Sequence, residues 1–134
     1  MTLQYSVAVN NARLDAFEST AGTSAKLRIY TGTVPANCAA AATGTLLVEM
    51  ALPSDWMGAA ASGVKAKAGT WSGTGAAAGT AGYFRIVDTA GTTTHAQGTA
   101  TITAGGGDMI LDNTSIAVSQ VVTVNSFTLT TGNA

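Results

Sequence analysis

The sequence has few of the residues that carry chemistry. Charged side chains make up 10% of its 134 residues, against about 25% in an average soluble domain, and it contains one histidine and one cysteine. Catalysis depends on titratable groups held at suitable pKa values, so this composition predicts a structural or binding protein rather than an enzyme. One histidine and one cysteine are too few for a structural zinc site, and a lone cysteine excludes an internal disulfide. No metal or other cofactor is predicted.

Charge of one sign and long apolar runs are also missing. The formal net charge is −1 and the pI is about 5.6, so no basic surface is available for nucleic acid or an anionic membrane. No apolar run approaches the ~20 residues of a membrane-spanning helix, and the first residues lack the basic and apolar regions of a signal peptide. We therefore expect neither nucleic acid nor membrane as a partner, and synthesis in the cytoplasm.

Small and β-branched residues make up much of what is present, and the length fits a single domain over residues 1–134. Residues 3–9 alternate between larger apolar and smaller or polar side chains, which predicts a half-buried strand or an extended N-terminal arm over residues 1–8. The two asparagines that follow are candidate helix caps, and the spacing predicts one short helix over 12–19 that ends at Gly22.

The rest of the chain has the pattern of short strands separated by turn residues. Together with the high threonine content, this predicts an all-β fold, a β-sandwich or jelly roll of about eight short strands with one short N-terminal helix. Residues 73–82, rich in glycine and alanine, are predicted to form a mobile loop. The predicted strands cover 26–30, 45–52, 63–70, 83–87, 92–103, 109–111, 115–118 and 120–131.

Three of these strands give specific predictions of which side chains face the core. In 45–52 the alternation places Leu46 inward, and in 63–70 it places Val64 inward and Lys65 outward. In 120–131 the apolar residues change parity halfway along. A strand with such a change buries both halves only if a bulge lies near Asn125 and Ser126.

The few residues capable of acid–base or metal chemistry are interpreted as structural. His95 lies in a polar stretch with no nucleophile nearby in sequence, and we expect it to be exposed and non-catalytic. Asp108 and Asp112 lack the alternating pattern of a calcium loop, and turn-capping acids at strand ends are the favoured interpretation.

Five apolar residues are the candidates for contact with another protein. Trp56, Met57 and Trp71 flank loop segments, and tryptophan and methionine are enriched at interfaces. Two interpretations of these three are equally favoured, an interface or a lid over the open ends of a sandwich. Leu3 and Tyr5 belong to the N-terminal segment, which can add a strand to the sheet edge of a neighbour.

Six segments, spread over nearly the whole chain, resemble small virion proteins of tailed bacteriophages. Their motifs are structural rather than catalytic. They are NARLDA (11–16), LRIYTG (27–32), TGTLL (43–47), LPSDWM (52–57), YFRIVD (83–88) and DNTSI (112–116).

The resemblance implies a head decoration, or cement, protein with a β-sandwich or jelly-roll fold. Such proteins lie on the capsid surface as dimers or trimers and bridge neighbouring capsomers, so the implied partners are the major capsid protein and further copies of the chain. Two alternatives remain at this point, a tail or head–tail connector protein and a carbohydrate-binding module. The low aromatic content of 6% disfavours the second alternative.

Overall fold

One helix and nine strands are seen in the computed structural model, which describes residues 3–131. The predicted all-β fold with one short N-terminal helix is confirmed, and the nine strands form one curled sheet. The elements are α1 (Val7–Ala21), β1 (Lys26–Thr31), β2 (Leu46–Ala51), β3 (Val64–Ala66), β4 (Ser72–Thr74), β5 (Gly79–Val87), β6 (Thr94–Ile102), β7 (Met109–Leu111), β8 (Ser115–Ile116) and β9 (Val121–Thr130).

The prediction of a strand over residues 3–9 is wrong, because α1 begins at Val7. The helix is capped by Ser6, whose side-chain oxygen accepts a hydrogen bond from the backbone N–H of Val9 at 3.2 Å. The arm predicted over 1–8 does not extend to residues 7 and 8, which are helical. Residues 1 and 2 of that arm lie outside the described residues. The helix ends as predicted at Gly22, which has φ +93° and donates to the carbonyl of Glu18.

The sheet runs in the order β2-β1-β5-β6-β7-β9-β3, with β4 paired to β9 and β8 paired to β5. Every pairing is antiparallel except that of β6 with β7. An antiparallel bridge from Val48 of β2 to Gly75, the residue after β4, brings the far side of the sheet back to its first strand. The sheet thereby curls around one hydrophobic core.

Register shifts occur in four strands, and those in β2 and β9 bear on the predicted core-facing residues. In β2 the pairing passes from Ile29–Val48 to Tyr30–Leu46, so Leu47 is the extra residue and is buried, whereas Leu46 is exposed. The prediction that Leu46 faces inward is therefore wrong. In β9 the pairing skips Asn125, and apolar residues on both sides of the skip are buried, as the parity change predicted.

The segment predicted to be a mobile loop over 73–82 is ordered instead. It contains most of β4 and the start of β5. At Gly73 an added Cβ would lie 2.8 Å from the Cβ of Met50, so glycine permits the close approach of β4 to β2. Composition alone does not reveal such an approach.

Candidate functional site

The three predicted interface residues of the loops lie in the core. The exposed fractions of Trp56, Met57 and Trp71 are 0%, 1% and 0%. The indole N–H of Trp56 donates to the carbonyl of Gly22 at 2.9 Å, and that of Trp71 donates to the carbonyl of Trp56 at 3.1 Å. Because these side chains are already buried within the monomer, the structure corrects their assignment to a contact surface. The sequence signal was misleading because both tryptophans lie outside strands, yet the connections that carry them fold into the core.

The other two predicted interface residues, Leu3 and Tyr5, are exposed beside the start of α1. Together with Val7 and Val9 they give this end of the chain four exposed apolar side chains, which we call the N-terminal apolar surface, with exposed fractions of 68%, 38%, 48% and 44% in chain order. Val7 and Val9 are two residues apart in the helix and therefore project in different directions. The guanidinium of Arg13 lies over the ring of Tyr5, 4.8 Å from its centroid. This contact ties the segment before the helix to the helix itself.

A buried ion-pair cluster holds α1 against the sheet. The side chain of Lys65 is 1% exposed, and its ammonium lies 2.7 Å from Asp15 Oδ1, 3.2 Å from Glu18 Oε1 and 2.9 Å from the carbonyl of Gly58. The prediction that Val64 faces inward and Lys65 outward is thus wrong. The helix covers this part of β3 with two carboxylates, so the lysine is the side chain that β3 buries.

The carboxylates of this cluster also accept backbone hydrogen bonds. Asp15 accepts from the N–H of Ala60 at 3.0 Å, and Glu18 accepts from the N–H of Met57 at 2.7 Å. The hydrogen bond from Lys65, followed by that from Ala60, lowers the pKa of Asp15. Burial by itself lowers the pKa of Lys65, but the hydrogen bonds to the two carboxylates outweigh it and raise that pKa above its usual value.

The first turn of α1 leaves apolar residues on the outside. Further along, Leu14, Phe17 and Ala21 pack on the core as in a typical surface helix, and Asp15 and Glu18 add the polar attachment. Val7 and Val9 lie outside this apolar stripe and are 48% and 44% exposed. About half of each valine side chain therefore remains open to a partner.

A second candidate site lies on the outer face of the sheet. The register places Glu49 of β2, Arg28 of β1, Arg85 of β5 and Gln97 of β6 directly opposite one another in a row across four strands. Residues facing one another in this way point to the same face of a sheet. The row lies on the opposite face from the core, since its neighbours in sequence, such as Leu27 and Ile86, belong to the core.

The loop between β1 and β2 folds over this row. Tyr83, on the same face, donates from its hydroxyl to the carbonyl of Thr43 at 2.6 Å and accepts from the N–H of Thr43 at 3.0 Å. The ring of Tyr30 stacks on that of Tyr83 with a centroid separation of 5.0 Å. Between this loop and the β5–β6 turn remains an open cleft of about 560 Å³, which we call the arginine cleft; it is lined by Arg28, Arg85, Tyr30, residues 38–42 and residues 91–94.

The two arginines of the cleft have different partners. Arg28 donates from Nε to Glu49 Oε2 at 2.6 Å and from a terminal nitrogen to the carbonyl of Gly91 at 3.3 Å. The hydrogen bond to Glu49 raises the pKa of Arg28. Arg85 is 5% exposed and donates to the carbonyls of Ala40 (2.8 Å) and Asn37 (3.4 Å) and to the hydroxyl of Thr94 (3.4 Å). Over residues 3–131 no carboxylate lies within ion-pair distance of Arg85.

The acids singled out in the sequence have hydrogen-bonding roles. One carboxylate oxygen of Asp108 accepts from both the N–H and the hydroxyl of Thr99, and Asp112 accepts from the N–H of Thr123. His95 is partly buried in β6, so the prediction that it is exposed is wrong. In the described part of the chain, no group of three or more His, Cys, Asp and Glu side chains is placed to hold a metal ion. Within that same part, no helix has the length and hydrophobicity needed to cross a membrane.

Sequence reasoning missed the arginine cleft because the signal is divided between distant segments. Arg28 and Arg85 each occupy an outward position in an apolar strand, and this much is readable from alternation. That they face each other depends on the register between β1 and β5, which are separated by 47 residues. No protein-family model, curated protein or solved structure matches this chain.

Proposed function

We propose that the protein is a head decoration protein of a tailed bacteriophage. In this role it binds the outside of the expanded icosahedral shell, as a dimer or trimer, and stabilises contacts between subunits of the major capsid protein. It is made in the host cytoplasm and ends on the capsid surface. The phage assignment rests on the resemblance of the six sequence segments, and the structural observation that supports a binding role is the N-terminal apolar surface, four exposed apolar side chains in a chain with few charges.

The composition of the surface favours permanent association over transient contact. Removing a charged side chain from water is costly, whereas alanine, threonine and valine are desolvated at low cost. Burying apolar surface contributes about 25 cal/mol per Å², so four half-exposed side chains supply several kcal/mol per copy. Because the polar cluster around Lys65 already anchors α1, its exposed valines remain available to a partner.

Shell stabilisation then follows from mass action. A protein that binds the expanded lattice and not the unexpanded one stabilises the expanded state by its binding free energy. Each site contributes modestly, and attachment of a dimer or trimer through several sites slows dissociation. No catalytic step belongs to this role.

The test is co-sedimentation of the purified protein with expanded and unexpanded shells of the phage that encodes it, with bound copies counted per shell. We expect saturable binding to the expanded form alone, at a copy number matched to the lattice. The double variant V7S/V9S should bind the expanded shell at least tenfold more weakly, because it removes two of the four apolar contacts.

The matched control is V118S/V121S. Val118 and Val121 are each 62% exposed and lie near the start of β9. The N-terminal apolar surface lies near β3, and β3 pairs with the other end of β9. Along that strand the two regions are separated by roughly 25 Å. Equal weakening by both double variants would refute a specific contact through the N-terminus. Absence of binding to either shell would refute the decoration role and favour a tail or connector protein.

A further inference from the structure

Positive charge is concentrated on the face of the sheet that carries the arginine cleft. Of the six basic residues in the chain, Lys26, Arg28 and Arg85 lie on this face. The one carboxylate in the row, Glu49, is shared between Arg28 at 2.6 Å and Lys26 at 3.8 Å. In a chain with a net charge of −1, this face therefore has an excess of cations.

The carboxylate on the neighbouring hairpin keeps its charge but lies outside the cleft, and together with Glu49 it still leaves three cations against two carboxylates. Asp88 begins the turn between β5 and β6, and its oxygens accept from the N–H and hydroxyl of Thr92 and from the N–H of Thr93. These bonds lower the pKa of Asp88 and direct the carboxylate back onto its own turn. Asp88 is not among the residues that line the cleft.

The arrangement of the two arginines is unfavourable without a ligand. Like charges directly opposite each other on neighbouring strands are destabilising, and Arg28 is directly opposite Arg85. Arg85 is 5% exposed, and a buried cation is normally paired with an acid. Among the described residues, no group accepts a hydrogen bond from its Nε. Buried polar atoms of this kind are rare in folded proteins.

From these observations we propose that the arginine cleft binds a carboxylate group. The bound anion supplies the counter-charge that Arg85 lacks and accepts hydrogen bonds from the guanidinium of Arg28 that lines the opening. The site is independent of the proposed virion role. Neither the N-terminal apolar surface nor the ion-pair cluster of Lys65 contributes a residue to it.

The walls of the cleft indicate what the carboxylate is attached to. The cations are planar guanidiniums, which match a carboxylate in shape, and no lysine lines the cleft. One wall is formed by the alanines at 39–42 and the other by the threonines at 92–94. Methyl groups beside the arginines suit a short aliphatic stem better than a fully polar phosphate. The ligand class is thus a carboxylate on a short aliphatic chain, either an acidic side chain of another protein or a free dicarboxylic acid.

The test is a titration of the ¹⁵N-labelled protein followed by NMR, reading the amides of residues 92–94 and the Nε–H of Arg85. Four probes are compared: N-acetylglutamate N-methylamide for an acidic side chain, glutarate for a free diacid, the neutral N-acetylglutamine N-methylamide, and inorganic phosphate. We expect saturable shifts with the first two probes and none with the neutral amide. The tighter of the two carboxylates identifies the source.

Two variants make the test specific. Arg28→Gln should weaken carboxylate binding about tenfold, because it removes a charge-assisted hydrogen bond at the opening. Lys67→Gln removes a partly exposed lysine outside the cleft, whose Nζ donates to the carbonyl of Gly69, and should change binding less than twofold. The proposal is overturned if no carboxylate gives a saturable shift, if phosphate binds as tightly as the carboxylates, or if the two variants have equal effects.

Discussion

Replacing Trp56 with alanine is expected to destabilise the domain itself rather than a contact with another protein. The ring of Trp56 packs edge-on against Phe17, with centroids 5.4 Å apart, and at a tilt against Trp71, with centroids 5.9 Å apart. Its N–H binds the carbonyl of Gly22, the residue that ends α1. The side chain thus links the helix, the connection after β2 and the centre of the core.

The expected magnitude combines two losses. Truncation of a buried tryptophan to alanine costs about 3–5 kcal/mol through lost contacts and the cavity left behind, and Trp56 is fully buried. Loss of a partner for the Gly22 carbonyl adds about 1 kcal/mol where water does not replace it. Against a total stability of 5–15 kcal/mol for an ordinary domain, the variant is close to unfolding. Trp56→Phe keeps an aromatic ring but lacks the N–H, and should lose about 1–3 kcal/mol.

The assay is urea denaturation followed by tryptophan fluorescence, because Trp71 remains as a reporter in both variants. With a slope of about 1–3 kcal/mol per M for a small protein, the alanine variant should lower the midpoint by roughly 2 M. Val118→Ala, at an exposed position, should change the stability by less than about 0.5 kcal/mol. A Trp56→Ala midpoint within about 0.5 M of the wild type, together with weakened self-association, would refute the core placement and restore the interface interpretation.

Two further predictions concern charged and reactive side chains. Lys65→Met should lower the free energy of unfolding by about 1–3 kcal/mol. This is less than the roughly 3–5 kcal/mol typical of breaking a buried ion pair, because Asp15 and Glu18 are partly exposed and regain contact with water. The control Lys67→Met should lower it by less than about 0.5 kcal/mol in the same denaturation assay. Since the pKa of Lys65 is raised in the folded state, its stabilising contribution is complete below about pH 10.5 and is lost as the pH rises through the folded-state pKa. Denaturation measured as a function of pH tests this. An equal loss of stability at alkaline pH in the wild type and in Lys65→Met would contradict it. Cys38 lines the arginine cleft, whose positive charge should attract the anionic reagent iodoacetate more than the neutral reagent iodoacetamide. The ratio of the two alkylation rates should therefore be several-fold higher in the folded than in the urea-unfolded protein, and it should fall with added salt. An unchanged ratio would argue against a cationic cleft.

The sequence was sufficient to predict most of the strands because they depend on local alternation and turn chemistry. The turn between β5 and β6 shows such local chemistry, since the side chain of Asp88 itself accepts hydrogen bonds from the backbone N–H groups of Thr92 and Thr93. The bulge in β9 was also predictable. Burial on one face requires a skip wherever the apolar residues change parity, and the skip occurs at Asn125. Such constraints operate within a few residues.

The helix start was mispredicted because two local signals compete in the same segment. The apolar residues of 3–9 alternate as in a strand, but Ser6 supplies a cap, and the following residues have no partner strand with which to pair. Isolated alternation does not make a strand; it needs a neighbour that completes its hydrogen bonds. The outcome places apolar side chains on the surface, which is the feature that the proposed function uses.

The remaining errors involve charges whose burial depends on distant partners. Lys65 was assigned to the surface because alternation favours valine on the core side, yet Asp15 and Glu18 lie some 50 residues away in α1 and make its burial favourable. Likewise, Arg28 and Arg85 are ordinary outward residues until the register brings them face to face. Pair energies of this kind are set by tertiary geometry, so no window of the sequence contains them.

In a chain with so few charges, the contrast between these two clusters is informative. The cluster at Lys65 is closed, because one ammonium is matched by two carboxylates and a carbonyl within 3.2 Å. The row at Arg85 is open, because its one carboxylate, that of Glu49, pairs with Arg28 and Lys26 but not with Arg85, and the buried Nε of Arg85 has no acceptor among the described residues. Stability alone would favour the first arrangement at both places, since an unmatched buried cation costs free energy. The open row is therefore the better candidate for a site that a second molecule completes.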